Sequence, residues 1–336
     1  MLSSDAIAQT YPVPGEDVMS WEEDTADLLD GERMALWTAV TPGVFPKPRG
    51  EWEKLVIPLK RAGNLFLLEA VVDSVRGNFV LDFGATNLVL NRSYFPDDDR
   101  RVRTTMAQDA TGASFEVAQR RVDRFSLQDL HYDNITADLT DLGAIENRRG
   151  VQILGLMGLD LFVKMDVVLD PRRNLLILQR NPRGVDEHPE PPRAEPVEIP
   201  MMLRSGALVV DARIAERRVR FGLDTGAEIA ILDRKSGKRV LEKFAIDRRM
   251  SLSGSGGGTV EVLAGSITQL ELGGHDFSGM RAVISDLGNL SEGYGTTING
   301  LLGCGLMGQG ISHFDFAGRT YRLYLYSEES VQETIR

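Results

Sequence analysis

The sequence predicts a mainly β fold of two similar barrel lobes, related by a pseudo-twofold axis. Three observations point there. The chain repeats itself at a nearly constant offset, its apolar runs are short and strand-like, and turn residues interrupt those runs at close intervals. With 336 residues, 42% hydrophobic and 26% charged, it can build about two packed domains.

The repeat comes first, because it sets the frame for every element. VIPLKRAGNLFLLEAVVDSVRGNFVLDFGA (56–85) lines up with EIPMMLRSGALVVDARIAERRVRFGLDTGA (198–227). Pro58 pairs with Pro200 and Asp82 with Asp224, both 142 positions apart. Further on, TDLG (140–143) matches SDLG (285–288) at an offset of 145, and ILG (153–155) matches LLG (301–303) at 148. Asp170 in VVLDPRRNLLIL matches Asp315 in SHFDFAGRTYRLYL at 145. Landmarks kept in one order indicate two homologous units, with loop insertions as the source of the drift.

In chain order, residues 1–50 belong to neither repeat and form an N-terminal extension, with one short helix expected around Asp24–Val40. Residues 51–180 are the first lobe. LFLLEAVVDS and NFVLDF have the β-branched and aromatic content of strands, broken by Gly and Asn turn signals. A short helix is expected at 91–100. Residues 181–197 are a proline-rich linker, since proline fixes φ and lacks a donor. Residues 198–330 are the second lobe, where ALVVDARIAERRVRFGLD repeats the strand pattern and a second short helix is expected at 233–243. Arg120-Arg121 and Arg217-Arg218 read as solvated strand faces.

Composition excludes several classes. A net charge of −11 disfavours nucleic-acid binding, which needs Lys and Arg against phosphate. The lone Cys304, set in LLGCGL, rules out an intrachain disulfide and a cysteine-rich zinc site, and reads as a small buried residue. The four histidines have no metal-ligand spacing, so no metal site is expected. No apolar run reaches the roughly 18 residues of a transmembrane span. Ala6-Ile7-Ala8 has the small-x-small form of a signal cleavage site. If it is the tail of a signal, the protein is periplasmic or secreted; if the match is chance, it is cytoplasmic.

The repeated turn carries the chemistry. At LDTGA (223–227) a hydrophobic strand delivers Asp224, Thr225 offers a hydroxyl that can donate and accept, and Gly226 permits close backbone approach. One such aspartate is an ordinary turn residue. Two brought together by pseudo-twofold packing cannot both ionise, so they share a proton. The ionised member can then take a proton from water while the protonated one polarises a carbonyl.

The ordered set of motifs resembles the aspartic peptidases, in particular the bacterial retropepsin-like family, with two lobes fused in one chain as in pepsin-like members. It rests on LDFGA and LDTGA, on ILGLMGLDLF and GLLGCGLMG, and on the closing strands VVLDPRRNLLIL and HFDFAGRTYRLYL. The resemblance implies that Asp82 and Asp224 are the catalytic dyad, supported by Gly84, Ala85, Thr225, Gly226 and Ala227. It implies flaps at 104–117 and 250–262, with Phe115, Ser253, Gly254 and Gly256 near substrate. It also implies a peptide or protein substrate and no cofactor. A monomer is expected, because the internal partner is already present. Glu228, just after the second motif, reads either as a substrate contact or as a loop carboxylate with a local hydrogen bond.

The chain departs from the family at Phe83, where a Thr or Ser is expected. Phe83 has no hydroxyl to cross-link the two loops, and its ring must find an apolar pocket. Two readings stay open: an asymmetric but active peptidase, and a degenerate protein of the same fold that binds a peptide or protein without cutting it.

Overall fold

The computed structural model describes residues 45–95, 101–108, 114–180, 195–253 and 259–326, with the backbone alone for 101–108, 114–117 and Ser253. The expected helix around Asp24–Val40, the Ala6-Ile7-Ala8 site and residues 181–194 of the linker lie outside them.

Mainly β structure follows from where the apolar runs must bury both faces. In Leu65–Val72, Phe66, Leu68, Ala70 and Val72 join the largest apolar cluster, while Leu65 and Leu67 on the other face join a smaller one. Ala207–Ile214 repeats this, with Leu208, Val210, Ala212 and Ile214 on one side and Val209 on the other. Two-sided burial explains why LFLL and ALVV read as continuous rather than alternating. The largest cluster runs through both halves of the chain.

The first half orders its strands Leu65–Val72, Val75–Leu81, Gly155–Met157, Val89–Asn91, Leu130–Thr140 and Ser114–Leu127. Pairing of Val72 with Phe125 returns the last strand to the first and closes a barrel. The second half repeats the order with Ala207–Ile214, Arg217–Leu223, Gly300–Leu302, Ala230–Asp233, Met280–Ser285 and Thr259–Ile267. In each half a three-residue strand is inserted parallel to the strand that leads into the aspartate turn, Phe79 opposite Gly155 and Phe221 opposite Gly300.

These pairings correct one alignment. Gly155 corresponds to Gly300 and Gly158 to Gly303, at the 145 offset, so ILG (153–155) matches ING (298–300) rather than LLG (301–303). Both halves carry glycines three residues apart in this segment, which lets a sequence alignment slip by three.

The halves join through an antiparallel sheet. Its strands run Lys54–Pro58, Leu175–Gln179, Asp166–Asp170, Gly310–Asp315, Thr320–Leu325 and Val197–Arg204. At its centre Val167 faces Phe314, Val168 faces His313 and Leu169 faces Ser312. The 145 offset carries Val167 onto Ser312 and Leu169 onto Phe314, so the pseudo-twofold axis passes between Val168 and His313.

The expected helix at 233–243 is present as Lys238–Leu241. At 91–100 the described part holds a single turn, with the Phe95 N–H donating to the Asn91 carbonyl at 3.1 Å. Pro96 disfavours helical geometry at the residue before it. Arg120 also departs from expectation. It lies on the inward face of its strand with Ala118 and Val122, is buried, and sets its guanidinium 5.6 Å from the Phe95 ring centre. Arg217 and Arg218 are exposed. No helix among the described residues is long and apolar enough to cross a membrane.

Candidate active site

Strands Val75–Leu81 and Arg217–Leu223 end at Asp82 and Asp224, where the chain leaves the sheet. The inserted strands hold both ends. The Asp82 N–H donates to the Met157 carbonyl at 3.1 Å, and the Asp224 N–H to Leu302 at 2.9 Å. Each loop then turns back, with the Ala85 N–H on the Asp82 carbonyl at 3.3 Å and the Ala227 N–H on that of Asp224 at 3.2 Å. The carbonyls of Ala85 and Ala227 accept from Leu159 (2.9 Å) and Cys304 (2.8 Å), just past the inserted strands. Each aspartate therefore sits on backbone fixed from both sides.

The carboxyls are anchored within their own loops. Asp82 Oδ1 accepts from the Gly84 N–H at 2.9 Å and Asp224 Oδ1 from the Gly226 N–H at 2.8 Å. The glycines also set the approach of the two loops. A Cβ on Gly84 would lie 2.5 Å from Asp224 Oδ2, and one on Gly226 would lie 2.6 Å from Asp82 Oδ1. Each glycine backs onto the opposite carboxyl, so any side chain there would drive the pair apart.

Burial raises both carboxyls. Asp82 is held well above the ordinary carboxyl range, by desolvation first and the charge of Asp224 second. Desolvation raises Asp224 too, but N–H groups of Gly226, Ala227 and Gly84 pull it back. N–H groups of Gly84 and Ala85 lower Asp82 as well, but less than burial and Asp224 raise it, so Asp224 is the more readily ionised of two carboxyls placed to share a proton.

Beneath the carboxyls lies Thr225, fully buried. Its hydroxyl accepts from the Phe83 N–H at 2.8 Å and donates to the Leu81 carbonyl at 2.9 Å, so the second loop grips the first. Phe83 offers no hydroxyl in return. Its ring points into a buried aromatic group, with centroids 5.0 Å from Phe314, 5.4 Å from Phe162 and 6.4 Å from Phe316. At the 145 offset the first half has Leu169 and Pro171 where the second has Phe314 and Phe316. The pocket for Phe83 thus takes Phe162 from the first half and, from the second, Phe314 and Phe316, which have no aromatic counterparts across the axis.

Several residues near the loops were not singled out from sequence. Tyr294 caps the helix Gly288–Gly293, and its ring comes within 4.0 Å of where a Gly222 Cβ would stand. The first half has Val80 in place of Gly222. Burial and the charges of Asp224 and Asp82 push the Tyr294 phenol above its ordinary range. At the 145 offset its counterpart is Arg149, in the last turn of the helix Gly143–Arg149. Arg149 ion-pairs with Glu228, so Glu228 makes a contact across the halves rather than a local one. That offset was the signal able to find both helix ends. Cys304 is buried, as expected of it.

Gly254 and Gly256 lie outside the described residues. Phe115 and Ser253 lie on the described strands Ser114–Leu127 and Phe244–Ser253, with their side chains outside the description. Among the described residues no group of three His, Cys, Asp or Glu converges as a metal site.

The aspartyl protease family matches this chain twice, over residues 68–161 and 210–306. Both segments contain an aspartate turn. No curated protein matches in sequence. Among solved structures, an aspartic proteinase from Irpex lacteus aligns at a TM-score of 0.48 and 13% identity, over 82% of this chain and 98% of that one. Basic 7S globulin from soybean aligns at 0.47 and 10%, over 83% and 97%.

Proposed function

We propose that this chain, which belongs to the aspartyl protease family, is an endopeptidase that hydrolyses peptide bonds with a water activated between Asp82 and Asp224. The observation that supports it most is the pair of buried carboxyls whose loops meet glycine to opposite carboxyl, raised together by burial. In this reading Asp224, the less strongly raised of the two, is the ionised member. It takes a proton from the water as the oxygen attacks the carbonyl carbon. Asp82 gives its proton to the carbonyl oxygen, forming a neutral tetrahedral diol. Collapse returns a proton from the diol to Asp82, delivers the one on Asp224 to the leaving amine, and restores the starting state. The substrate is a peptide in extended form, laid strand-like over the loops. The same reading divides the chain into an extension to residue 50, lobes at 51–180 and 198–330, and a linker at 181–197, working as a monomer.

The test is cleavage of a mixed peptide library, read by mass spectrometry from acidic to neutral pH. Asp82→Asn and Asp224→Asn are each expected to lower the rate at least about a hundredfold, the scale of general acid–base catalysis. Loss with Asp224→Asn alone would sink the internal dyad. A wild-type protein that binds peptides and cuts none would make the fold a peptide-binding module, the role that the missing hydroxyl at position 83 suggests by itself.

A further inference from the structure

The second aspartate loop lacks the hydroxyl that position 83 would lend it, yet its far end is tied to the first half by another route. Glu228, four residues after Asp224, ion-pairs with Arg149, and the two side chains are only 11% and 15% exposed, so solvent screens the pair little. The other oxygen of Glu228 accepts from the Asn64 N–H at 3.2 Å. Asn64 lies at the tip of the hairpin between Lys60–Ala62 and Leu65–Val72. The Asn64 carbonyl accepts from the Cys304 thiol at 3.2 Å. Side chains of the second half thus hold both backbone groups of this tip. Gly63 beside it has φ +63°, and a Cβ there would lie 2.7 Å from the Arg149 guanidinium. Across the pseudo-axis the counterpart contact is weaker. Thr86, equivalent to Glu228, donates to the Gly206 carbonyl at 3.4 Å. The strong tie falls on the loop that lost its hydroxyl partner.

We propose that Arg149 and Glu228 are positioning residues that hold the Asp224 loop in register with the Asp82 loop, in place of the hydroxyl absent at position 83. This deepens the peptidase reading and rests on it. The clamp acts through the spacing of the two carboxyls, which sets how tightly they share a proton. Among the described residues the other titratable groups facing the two carboxyls are Tyr294 and Cys304, both raised by burial, Cys304 to about 12, so both stay neutral while the carboxyls titrate. Arg61 acts on Cys304 from the first half.

The experiment uses the full chain with Arg149→Met, Arg149→Lys, Phe83→Thr and the Arg149→Met/Phe83→Thr double variant. It reads kcat and KM on a peptide the wild type cuts, thermal stability, and the carboxyl titration of the aspartate pair by NMR. Arg149→Met is expected to lower kcat about ten- to a hundredfold with little change in KM, the scale of a misplacement near 1 Å. It should also draw the two apparent carboxyl pKa values together, and Arg149→Lys should recover most of both effects. Phe83→Thr should raise kcat in the Arg149→Met background more than in the wild type. Lower thermal stability with kcat and titration unchanged would reduce the pair to a structural tie and overturn the proposal. So would equal effects of Phe83→Thr in both backgrounds. The titration needs no cleavage. If wild type cuts nothing but its separated carboxyl pKa values converge in Arg149→Met, the clamp stands and the peptidase reading falls.

Discussion

Thr225→Val isolates the one hydroxyl left at the floor of the site. Valine keeps the volume and branching of threonine, so no cavity opens and only the hydroxyl is lost. The Phe83 N–H at 2.8 Å and the Leu81 carbonyl at 2.9 Å then lose their partner, and position 225 is fully buried. A buried polar group left unpaired costs roughly 1–3 kcal/mol, so two cost about 2–6 kcal/mol. A loss of ~3 kcal/mol lowers the melting temperature by about 4 °C if the 336 residues unfold as one unit. Thr225→Ser, which keeps the hydroxyl and drops one methyl, is expected to cost only about 1 kcal/mol. Thermal and urea unfolding followed by circular dichroism measure both. In a site with two such hydroxyls the loss would be shared, whereas here it falls on one residue. If Thr225→Val unfolds within about 0.5 kcal/mol of Thr225→Ser, the hydroxyl does not hold the loops together and the reasoning about position 83 fails with it.

Two further outcomes are expected. Gly84→Ala puts a methyl 2.5 Å from Asp224 Oδ2, so peptide cleavage should fall at least about tenfold while far-ultraviolet circular dichroism stays unchanged; full activity would mean the loops yield freely. Asp160→Asn should stabilise the protein at neutral pH. Burial, aided by the charge of Asp138, raises the Asp160 carboxyl to about 6, and its Oδ1 has no hydrogen-bond partner among the described residues. The folded state therefore binds this proton more tightly than the unfolded chain. Its contribution to stability is present below the ordinary carboxyl range and is lost as pH rises through about 6. Removing the charge should gain about 1–3 kcal/mol at neutral pH and nothing at acidic pH, and a gain independent of pH would refute the assignment.

What the sequence shows and hides follows the range of the interactions. Asp82 to Ala85 and Asp224 to Ala227 are legible because the turn's chemistry is contiguous, and the repeat doubles the signal. The inserted strand is legible as an element but not in register, since ILGLMG and INGLLG each offer two glycines three residues apart. Only the pairing of Phe79 with Gly155 and Phe221 with Gly300 decides it. Arg120 reads as a surface residue beside Arg121, yet strand alternation from Ala118 and Val122 puts it inside. The clamp is hidden by distance. Glu228 meets Arg149 79 positions away and Asn64 164 positions away, with no local signature in any of the three.

The differences between the halves gather at the loops, and a single chain makes that possible. In a pair of identical lobes any change at the floor appears twice, so a phenylalanine at position 83 would remove both hydroxyls and need two aromatic pockets. Here it appears once, and Phe314 and Phe316 serve it where the other half keeps Leu169 and Pro171. The same one-sidedness sets Glu228 against Thr86, Arg149 against Tyr294, and Gly222 against Val80. The strands of the joining sheet, by contrast, still pair symmetrically about Val168 and His313. A backbone that stays twofold keeps the two carboxyls facing each other. Side chains around them that do not stay twofold give the site two unlike flanks. A peptide strand has a direction, so on the proposed peptidase reading such a site would distinguish the two ways a peptide could lie across it, which a symmetric site cannot do.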